Sequence, residues 1–502
     1  MNINNNTQTF DAIVVGGGIS GLLTALILGK HGHQVILFEK EKEVGGNCRS
    51  YGVDGFTVDT GPHAITALKD GGPLTYIMDG YFDFVPTFKP YGDYYIRSVS
   101  GEITRCPTNV SDFLKFKFLP RKDRLILSSK IASVILKSSA GVDYSDVSIY
   151  DALPKTLSNK TYAMADTFSY FMSGRDMKET SVQRMLNGAS FTTESGDTGE
   201  KFEKFMTGEI KSKTDVKSSS PNPKMAVSHE GGFSKQGYPL GGIGSIVDSI
   251  LKSLPENVVI KTGCRVTDII TENGKVIGIE CVRSDTPISP KSIYFSDFIV
   301  FTGFARNLKR MIKEELPESY IKTLDGIDHT ISLTTWIGLD ECVPEFDYMG
   351  SEVHFEKIPS WGGSTSNYDP SLAPPGQQLV CFGFAPVPRK RIRQNIKKSY
   401  DALFEMLPGI EKHVIMKHEQ ITVPEKAAIT LNGTFADIKT PIQGLYMAGT
   451  DTDRRSMGIT RASYSVINLI HELQKDGYFK HKNSFKGNNI KRNYLPLTNE
   501  TN

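Results

Sequence analysis

Three glycines near the start of the chain have the G-x-G-x-x-G spacing that brings a backbone close to a diphosphate. Gly16 permits a tight turn from a strand into a helix, Gly18 lets the backbone approach a phosphate without a Cβ, and Gly21 allows the helix to pack closely on the strand. Ile19 and Ser20 lie in the first helical turn, where free N–H groups and the positive end of the helix dipole attract anions. The spacing therefore predicts a site for the diphosphate of a dinucleotide.

The elements around these glycines have the order that such a site requires. Residues 10–15 form a short apolar run typical of a buried parallel strand, residues 22–28 predict an apolar helix, and residues 34–38 predict a second strand. Glu39 ends that strand, where its carboxylate can accept hydrogen bonds from ribose hydroxyls and would repel a 2′-phosphate. Lys40 follows it in the same predicted site. A glycine-rich turn in an unrelated α/β protein would lack this combination.

A second glycine-rich part follows, in which Gly45 and Gly46 are paired and Gly61 directly precedes Pro62. Together with the first motif, this pattern resembles the family of FAD-dependent amine oxidases, protoporphyrinogen oxidases and carotenoid (phytoene) desaturases. Residues 56–66 are most similar to the phytoene desaturase branch. The resemblance implies that FAD is the cofactor, that the paired glycines pass close to its diphosphate, and that the Gly61–Pro62 segment reaches toward the isoalloxazine ring.

Three polar residues in these segments are candidates for contacts with the cofactor or substrate. Many family members have an arginine directly after the paired glycines, whereas this chain has Asn47 there and Arg49 two residues later. Arg49 either takes over a phosphate contact or is a solvated loop arginine. His63 is the one titratable residue that the motif places near the ring, so it is the candidate for steering a proton, although a lone histidine more often makes a structural contact.

The C-terminal part of the chain contains a second pattern of the same family. A predicted strand ends at Gly449, and a turn leads to a helix that Gly458 and Ile459 open. The resemblance implies that the N-terminus of this helix faces the N1–C2=O edge of the flavin and stabilises its anionic reduced form. It also implies that the acid of the turn, Asp451, bonds the ribityl chain or a phosphate. Because Thr450 intervenes after Ala-Gly, the register is open by one residue.

The family pattern returns once between these two ends. Residues 237–244 contain a Pro-x-Gly-Gly segment before an apolar helix, and a hairpin with an Asn273-Gly274 turn follows. In the family the start of that hairpin passes the adenine, which makes the backbone of Val266 a candidate contact.

The fold class that these motifs imply is α/β, a Rossmann-like FAD-binding domain (GR2-type flavoprotein) with an inserted α+β substrate-binding domain. At 502 residues the chain is too long for a single core. We expect FAD-binding segments at 1–74, 237–304 and 425–475, a helix-rich substrate segment at 75–236, a second substrate segment at 305–424, and a basic flexible tail at 476–502.

Residues 111–137 interleave basic and apolar side chains with few acids. Such a segment is typical either of a surface that rests on an anionic membrane or of a helix pair that faces the core and extends its lysines into water, and the second interpretation is slightly favoured. No apolar run reaches the roughly 18 residues of a membrane-spanning helix, and residues 1–8 lack the features of a secretion signal. We therefore expect a cytoplasmic protein, with peripheral membrane contact through residues 111–137 left open.

Composition argues against several other functions. The 58 basic residues balance 56 acidic ones, which gives no reason to expect nucleic acid as a partner. The six cysteines form no CxxC pair and no cluster with histidine at zinc spacing, so neither a redox dithiol nor a metal site is expected. Nothing in the sequence indicates the oligomeric state.

The reaction that these observations favour is hydride transfer from a C–H bond of a hydrophobic isoprenoid substrate to flavin N5, with oxygen or a quinone as the electron acceptor. Three alternatives stay open: an oxidase of protoporphyrinogen or an amine, a flavin-dependent isoprenoid reductase, and a prenyl-binding escort similar to the GDP-dissociation inhibitors, which share the fold without using flavin. An amine oxidase usually has a C-terminal aromatic cage, whereas the only tryptophans, Trp336 and Trp361, are not near Gly458 in the sequence.

Overall fold

The structure is a computed structural model that describes residues 9–60, 64–68, 72–107, 110–190, 236–286, 290–314, 316–385, 387, 391–479 and 493–494. Within these residues the chain forms two large β-sheets and three small ones, with helices packed on the large sheets.

The strands in the described residues are, in chain order, β1 (Thr9–Val15), β2 (Val35–Phe38), β3 (Ser50–Val53), β4 (Phe56–Asp59), β5 (Phe84–Val85), β6 (Phe88–Pro90), β7 (Asp93–Arg97), β8 (Ile103–Arg105), β9 (Gly237–Pro239), β10 (Val258–Lys261), β11 (Cys264–Glu272), β12 (Lys275–Arg283), β13 (Ser292–Phe301), β14 (Ser332–Leu339), β15 (Gly350–His354), β16 (Ser360–Ser364), β17 (Gln378–Phe384), β18 (Val414–Thr422), β19 (Leu445–Met447) and β20 (Asn493–Tyr494). The helices are α1 (Ile19–Lys30), α2 (Pro73–Tyr81), α3 (Val110–Lys115), α4 (Arg121–Ser139), α5 (Ile149–Ala152), α6 (Asn159–Ser173), α7 (Val182–Ser190), α8 (Gly244–Ser253), α9 (Ala305–Leu308), α10 (Glu318–Gly326), α11 (Ile392–Met406) and α12 (Gly458–Lys475).

The first large sheet has the strand order β10-β2-β1-β13-β12-β11, and β19 also pairs with β13. Strands β10, β2, β1, β13 and β19 run parallel, whereas β12 and β11 are antiparallel. In register, Val15 lies beside both Phe38 and Phe301, and Phe301 lies beside Met447. The carboxyl ends of β1, β2, β13 and β19 therefore meet at one edge, where parallel sheets bind ligands.

Both faces of this sheet are covered, which explains the continuous apolar run of β1. Ala12 and Val14 pack into a core with α1, α2, α8 and α12. Ile13 and Val15 point to the other face, where α9, α10 and the β11–β12 hairpin form a second core. A parallel strand that is buried on both faces must be apolar at every buried position, and the four buried residues of β1, 12–15, are all apolar.

The second large sheet has the strand order β18-β14-β17-β16-β15-β7-β8 and combines two distant parts of the chain. Strands β7 and β8 lie in residues 93–105, and the other five lie in residues 332–422. The two parts join where β15 pairs in parallel with β7. Gly350 is required at this join, because its φ is +124° and a Cβ there would lie 1.8 Å from the carbonyl oxygen of Asp93.

The helices of residues 110–190 cover one face of the second sheet, and α11 covers the other. In α4, Leu127 and Val134 are buried, whereas Leu125 and Leu136 are exposed. Residues 111–137 therefore have one side that packs on the protein, as the core-facing interpretation expects, and another that presents apolar side chains to the outside. Among the described helices, none combines the length and apolarity needed to cross a bilayer.

The C-terminal segment makes contacts with the rest of the protein that its polar, basic composition does not suggest. Phe479 is buried, and the centroid of its ring lies 4.4 Å from that of His31. Strand β20 pairs with β5. The expected flexible tail at 476–502 thus contributes at least these contacts, and residues 480–492 and 495–502 lie outside the described residues.

A buried network of charges lies in the second sheet. The Glu352 carboxylate accepts hydrogen bonds from Arg97 Nε at 2.8 Å and from His354 Nε2 at 2.7 Å, and His354 Nδ1 lies 3.1 Å from Ser360 Oγ. Burial alone would raise the pKa of Glu352, but His354 and Arg97 outweigh it and lower this pKa to about 2. Because the pKa of an unfolded glutamate is about 4.3, Glu352 stabilises the fold above that pH, and this contribution is lost as the pH falls toward about 2.

We predict that Glu352→Gln destabilises the fold by about 3–5 kcal/mol at neutral pH, because it leaves the buried Arg97 guanidinium without its counter-charge. Urea unfolding of the apoprotein measures the effect, and the difference from wild type should shrink as the pH falls below about 4.3. Glu318→Gln removes only an exposed pair with Lys322 and is the matched control, with little expected change. Equal unfolding midpoints for wild type and E352Q at neutral pH would contradict the prediction.

Candidate functional site

The first wall of the site is the turn between β1 and α1. Gly16 has a φ of +114°, and a Cβ at Gly21 would lie 1.9 Å from the carbonyl oxygen of Gly16. These glycines therefore have the turn and packing roles that the sequence predicts. At Gly18, in contrast, a Cβ would meet nothing within 4 Å, so open space adjoins the backbone there. The next two residues, Ile19 and Ser20, form the first turn of α1 and direct its N-terminus at the same space.

A second glycine loop lies against the first. Gly45 N donates a hydrogen bond to the carbonyl oxygen of Gly17 at 2.7 Å, and a Cβ at Gly46 would lie 3.1 Å from the Cα of Gly18. The φ angles of Gly45 and Gly46 are +114° and +58°. Both positions therefore require glycine, and the two loops together form a cradle of backbone atoms, which we call the glycine cradle (residues 16–18 and 45–46).

Of the two charged residues expected at the glycine cradle, Glu39 contacts it and Lys40 points away. The Glu39 carboxylate accepts hydrogen bonds from Gly17 N at 2.7 Å and from Glu41 N at 2.9 Å, which holds it at the end of β2. The side chain of Lys40 is exposed and lies 3.5 Å from the Glu41 carboxylate, so the structure shows no contact between Lys40 and the cradle.

Arg49 and Asn47 take different directions. The Cγ of Arg49 lies 2.8 Å from where a Cβ of Gly45 would be, and its Nε is buried without a hydrogen-bond partner. An unpartnered guanidinium nitrogen beside open backbone space fits an anionic group, as the diphosphate of FAD would be. Asn47 is exposed and donates from Nδ2 to the carbonyl oxygen of Glu425 at 3.3 Å.

Val266 lies beside the end of β2. Its side chain is buried, and β11 is irregular between Val266 and Asp268, where the pairing with β12 shifts by one residue. Cys264 N donates to the carbonyl oxygen of Glu39 at 2.9 Å, so the start of this hairpin adjoins the residue expected to bind ribose. The three predicted contacts Gly61, Pro62 and His63 lie outside the described residues.

The C-terminal strand and helix reach the same edge of the first sheet. A Cβ at Gly449 would lie 3.9 Å from Ser20 Oγ and 3.8 Å from the carbonyl oxygen of Thr302. Helix α12 begins at Gly458, whose φ is +53°, and Ile459 is buried in the core that α1 shares. The N-terminal motif and the C-terminal motif, more than 400 residues apart in the sequence, thus border one space.

Asp451 is buried, and within the described residues only one of its two carboxylate oxygens has hydrogen-bond partners. Its Oδ2 accepts hydrogen bonds from Ala305 N at 2.9 Å and from His329 Nε2 at 2.8 Å, whereas Oδ1 is buried without a partner. Thr450, the residue that leaves the register open, offers its carbonyl oxygen to Arg461 at 3.2 Å. Within the described residues, Oδ1 of Asp451 is therefore a buried acceptor without a partner, which fits the expected contact with a hydroxyl group of the ribityl chain.

Two buried arginines that the sequence analysis did not single out hold the turn before α12. Arg461 donates to the carbonyl oxygens of Ser456 and Ala427 at 3.0 and 2.8 Å, and Arg184 donates to Ser456 at 3.2 Å. Ser456 has a φ of +53°, a strained conformation for serine that these bonds maintain. For Arg461 the signal in the sequence was its place in the first turn of the helix that Gly458 opens.

A cavity of about 480 Å³ opens beside these segments. Thr66 and Met457 lie in its wall, and Thr66 Oγ1 lies 2.9 Å from Thr460 Oγ1 at the start of α12. The cavity is lined by aromatic rings, and these include Tyr91, Tyr94, Phe171, Tyr238, Trp361 and Tyr368. Arg175, His329, Glu425 and Lys426 also line it and come from the chain segments near residues 175, 330 and 425.

Tyr238 and Asp59 form a buried pair at the cavity wall. Tyr238 donates its hydroxyl to the Asp59 carboxylate at 2.5 Å, and Ser50 Oγ and Ile243 N donate to the same carboxylate. Burial raises the pKa of Asp59 despite these three hydrogen bonds, and burial together with the Asp59 charge raises that of Tyr238. Neither was identified from sequence, because the pair joins residues that are 179 positions apart.

We predict that Gly18→Ala lowers FAD affinity at least about tenfold, or about 1.4 kcal/mol, while the apoprotein stays folded, because its methyl group would fill the open space of the cradle. Gly21→Ala should instead destabilise the apoprotein by about 1–3 kcal/mol, because its Cβ meets backbone. Flavin titration and urea unfolding separate the two effects. Gly80→Ala, on α2, where a Cβ meets nothing within 4 Å, is the control for both. Wild-type FAD affinity in G18A would contradict this assignment.

Comparison with known proteins agrees with this geometry. A family model described as flavin containing amine oxidoreductase matches residues 19–459. The chloroplastic prolycopene isomerase of Daucus carota is 24% identical over 94% of this chain and 81% of its own length. The all-trans-retinol 13,14-reductase of Rattus norvegicus is 27% identical over 36% of this chain and 31% of its own length. The 4,4'-diapophytoene desaturase of Staphylococcus haemolyticus is 38% identical over 14% of this chain and 17% of its own length.

A solved structure supports the fold. An oxidoreductase from Methanosarcina mazei superposes with a TM-score of 0.70 over 92% of this chain and 100% of that chain, at 21% identity. The likeness confirms the predicted α/β, Rossmann-like architecture.

Proposed function

The chain belongs to the family of flavin-containing amine oxidoreductases, and on that premise we propose that its substrate is a long, apolar, unsaturated chain of the isoprenoid class. As a member of this family it is an FAD-dependent oxidoreductase, so the alternative of a prenyl-binding escort without redox activity is not retained. When bound, FAD supplies two-electron chemistry by taking up or returning a hydride at N5.

The observation that carries this proposal is the aromatic cavity beside the cofactor segments. Tyr91 and Tyr368 stack with ring centroids 5.2 Å apart, and Phe171 meets Trp361 edge to face at 5.3 Å. Flat, polarisable walls of this kind suit the π-system of an unsaturated chain. Thr66 and Met457 bring the same cavity to the segments that the family resemblance places at the isoalloxazine ring.

The names of three relatives agree with an isoprenoid substrate. They concern prolycopene, 4,4'-diapophytoene and all-trans-retinol, which are all unsaturated chains of isoprene units. We propose desaturation as the reaction, with oxygen or a quinone as the final acceptor. The retinol reductase favours a second candidate, in which the same site adds hydrogen to a double bond.

In this proposal the residues of the chain divide the binding of FAD between them. Glu39 accepts hydrogen bonds from the ribose, and the glycine cradle with Arg49 holds the diphosphate. Asp451 accepts a bond from the ribityl chain, and the N-terminus of α12 faces the flavin ring.

We predict that the purified protein carries bound flavin, and that its visible absorbance bleaches without oxygen when phytoene or 4,4'-diapophytoene is added in liposomes. Putrescine and protoporphyrinogen are the comparison substrates and should leave the flavin oxidised. Reduced enzyme mixed with all-trans-retinol tests the second candidate, because reoxidation of the flavin would then accompany saturation of the chain. Bleaching by putrescine alone would overturn the isoprenoid proposal in favour of an amine.

We also propose that α3 and α4 rest on an anionic membrane, from which a lipid-soluble substrate is taken up. Leu125 and Leu136 are 54% and 58% exposed. Six basic residues of the same segment are also exposed, namely Lys115, Lys117, Arg121, Lys122, Lys130 and Lys137. The other side of α4 packs into the core that contains Tyr94, so this surface is joined to the sheet that lines the cavity.

The double substitution Leu125→Ser with Leu136→Ser should weaken sedimentation with vesicles of phosphatidylcholine and phosphatidylserine at least about tenfold, because it removes apolar area that would enter the interface. Added salt should weaken wild-type binding as well. Ile415→Ser alters an exposed apolar residue on β18 and is the control. Binding of the double variant at the wild-type level would refute the membrane proposal.

A further inference from the structure

We propose that His329 exchanges a proton with the substrate and that Asp451 positions it, an inference that rests on the proposed function. The two side chains meet in the wall of the cavity, where His329 Nε2 lies 2.8 Å from Asp451 Oδ2. Oxidation of a carbon chain needs a place for a proton as well as for a hydride. The candidate from the sequence motif, His63, lies outside the described residues.

The position of the pair is fixed from several sides. Asp451 Oδ2 also accepts a bond from Ala305 N at 2.9 Å, at the start of α9. The ring of Phe304 meets that of His329 edge on, with centroids 5.2 Å apart. The side chains of His329 and Asp451 are 7% and 4% exposed. This burial and these contacts hold the imidazole in one orientation.

The carboxylate decides which nitrogen of His329 carries the hydrogen. An ionised carboxylate only accepts, so Nε2 must donate, and Nδ1 of the neutral ring is left with a lone pair. Within the described residues Nδ1 has no hydrogen-bond partner, and it is not among the atoms sealed from solvent. His329 lines the cavity, and the proposal requires that this lone pair face the space for the substrate.

Among the charged residues around His329 in the described part of the chain, Asp451 is the acid that contacts the imidazole ring. Arg175 donates to the carbonyl oxygen of His329 at 3.2 Å, but its guanidinium is paired with Asp328 at 2.6 Å. Lys426 is paired with Glu425 at 2.6 Å on the neighbouring segment. The remaining cation near the pair is Arg461, which is bonded to the carbonyl oxygens of Thr450, Ser456 and Ala427. An imidazolium at His329 would have the Asp451 carboxylate as its counter-charge, 2.8 Å away.

The proton and electrons of the reaction balance with this assignment. Loss of a hydride and a proton from adjacent carbons leaves a C=C bond whose π electrons come from the C–H bond that loses the proton. FAD, the family's cofactor, would take the hydride with its electron pair, and the proton would pass to Nδ1 of His329, which would become an imidazolium. In the reductive direction His329 returns the proton to carbon. Between turnovers the imidazolium releases its proton to water.

One test needs no substrate. Diethyl pyrocarbonate labels unprotonated imidazole nitrogens, and mass spectrometry locates the label. His329 should react more slowly than His413, whose side chain is 20% exposed, and faster than His354, whose side chain is 1% exposed. Asp451→Asn keeps an acceptor oxygen and removes the charge, so labelling of His329 in mildly acidic buffer should rise in that variant. A His329 as inert as His354 would overturn the proposal, because Nδ1 would then not be open to the cavity.

The second test uses the polyene that bleaches the flavin. His329→Gln should slow anaerobic flavin reduction by about 10²–10⁴-fold with unchanged flavin content. Imidazole in the buffer should restore part of the rate in His329→Ala. In D451N the midpoint of the pH dependence of the rate should move to lower pH, because an amide stabilises an imidazolium less. His413→Gln is the matched control and should react at the wild-type rate.

The outcomes distinguish a failure of the role proposed for His329 from a failure of the proposed function. Flavin reduction at the wild-type rate in H329Q would overturn the role of His329 alone and leave the proposed function standing. A slower rate that no imidazole restores, with a pH dependence unchanged in D451N, would show a structural role and would also overturn the proposal. Absence of flavin reduction by any polyene would overturn both the proposed function and the proton transfer that rests on it.

Discussion

The arrangement of the site depends on how closely α1 approaches the turn that precedes it. A Cβ at Gly21 would lie 1.9 Å from the carbonyl oxygen of Gly16, and a Cβ at Gly16 would lie 2.7 Å from Thr302 Oγ1. Because neither residue has a side chain, the start of α1 and the ends of β1 and β13 meet without a gap. The Gly45–Gly46 loop then packs on Gly17 and Gly18, and the glycine cradle follows from backbone packing rather than from polar side chains.

Long-range hydrogen bonds connect this cradle to the cavity. Asn47 reaches the carbonyl oxygen of Glu425, a cavity residue, and Thr66 Oγ1 lies 3.0 Å from Ser456 Oγ before α12. Arg184 and Arg461 hold the Ser456 turn from two different helices. The cofactor segments and the second sheet therefore form one continuous wall, although the sheet is built from two insertions in the chain. A cavity between them can bring a substrate to the flavin only because these contacts fix both sides.

The glycine turn and Glu39 were predictable from sequence, because they depend on residues that are close together in the chain. Gly16 and Gly21 have their turn and packing roles because a strand, a turn and a helix follow one another directly, and Glu39 follows the next strand, which pairs in register with the first. The pairs that complete the site were not predictable, because they join residues brought together only by the fold: His329 with Asp451 and Tyr238 with Asp59 are 122 and 179 positions apart. Both interpretations of residues 111–137 also stay open on sequence alone, because an amphipathic pattern does not show what covers the outer side of a helix.

The turn after β19 shows how one inserted residue changes what an acid does. In the family pattern the acid directly follows Ala-Gly, whereas here Thr450 takes that position and the carboxylate comes one residue later. The structure directs the carbonyl oxygen of Thr450 to Arg461 and turns the Asp451 carboxylate toward Ala305 and His329. Oδ1 has no partner within the described residues, and it is the atom that the proposed function assigns to the cofactor. With its two oxygens divided in this way, a single buried carboxylate can orient the ribityl chain on one side and an imidazole of the cavity wall on the other. This division would place a proton-handling residue at a constant distance from the flavin, because both are held by the same side chain.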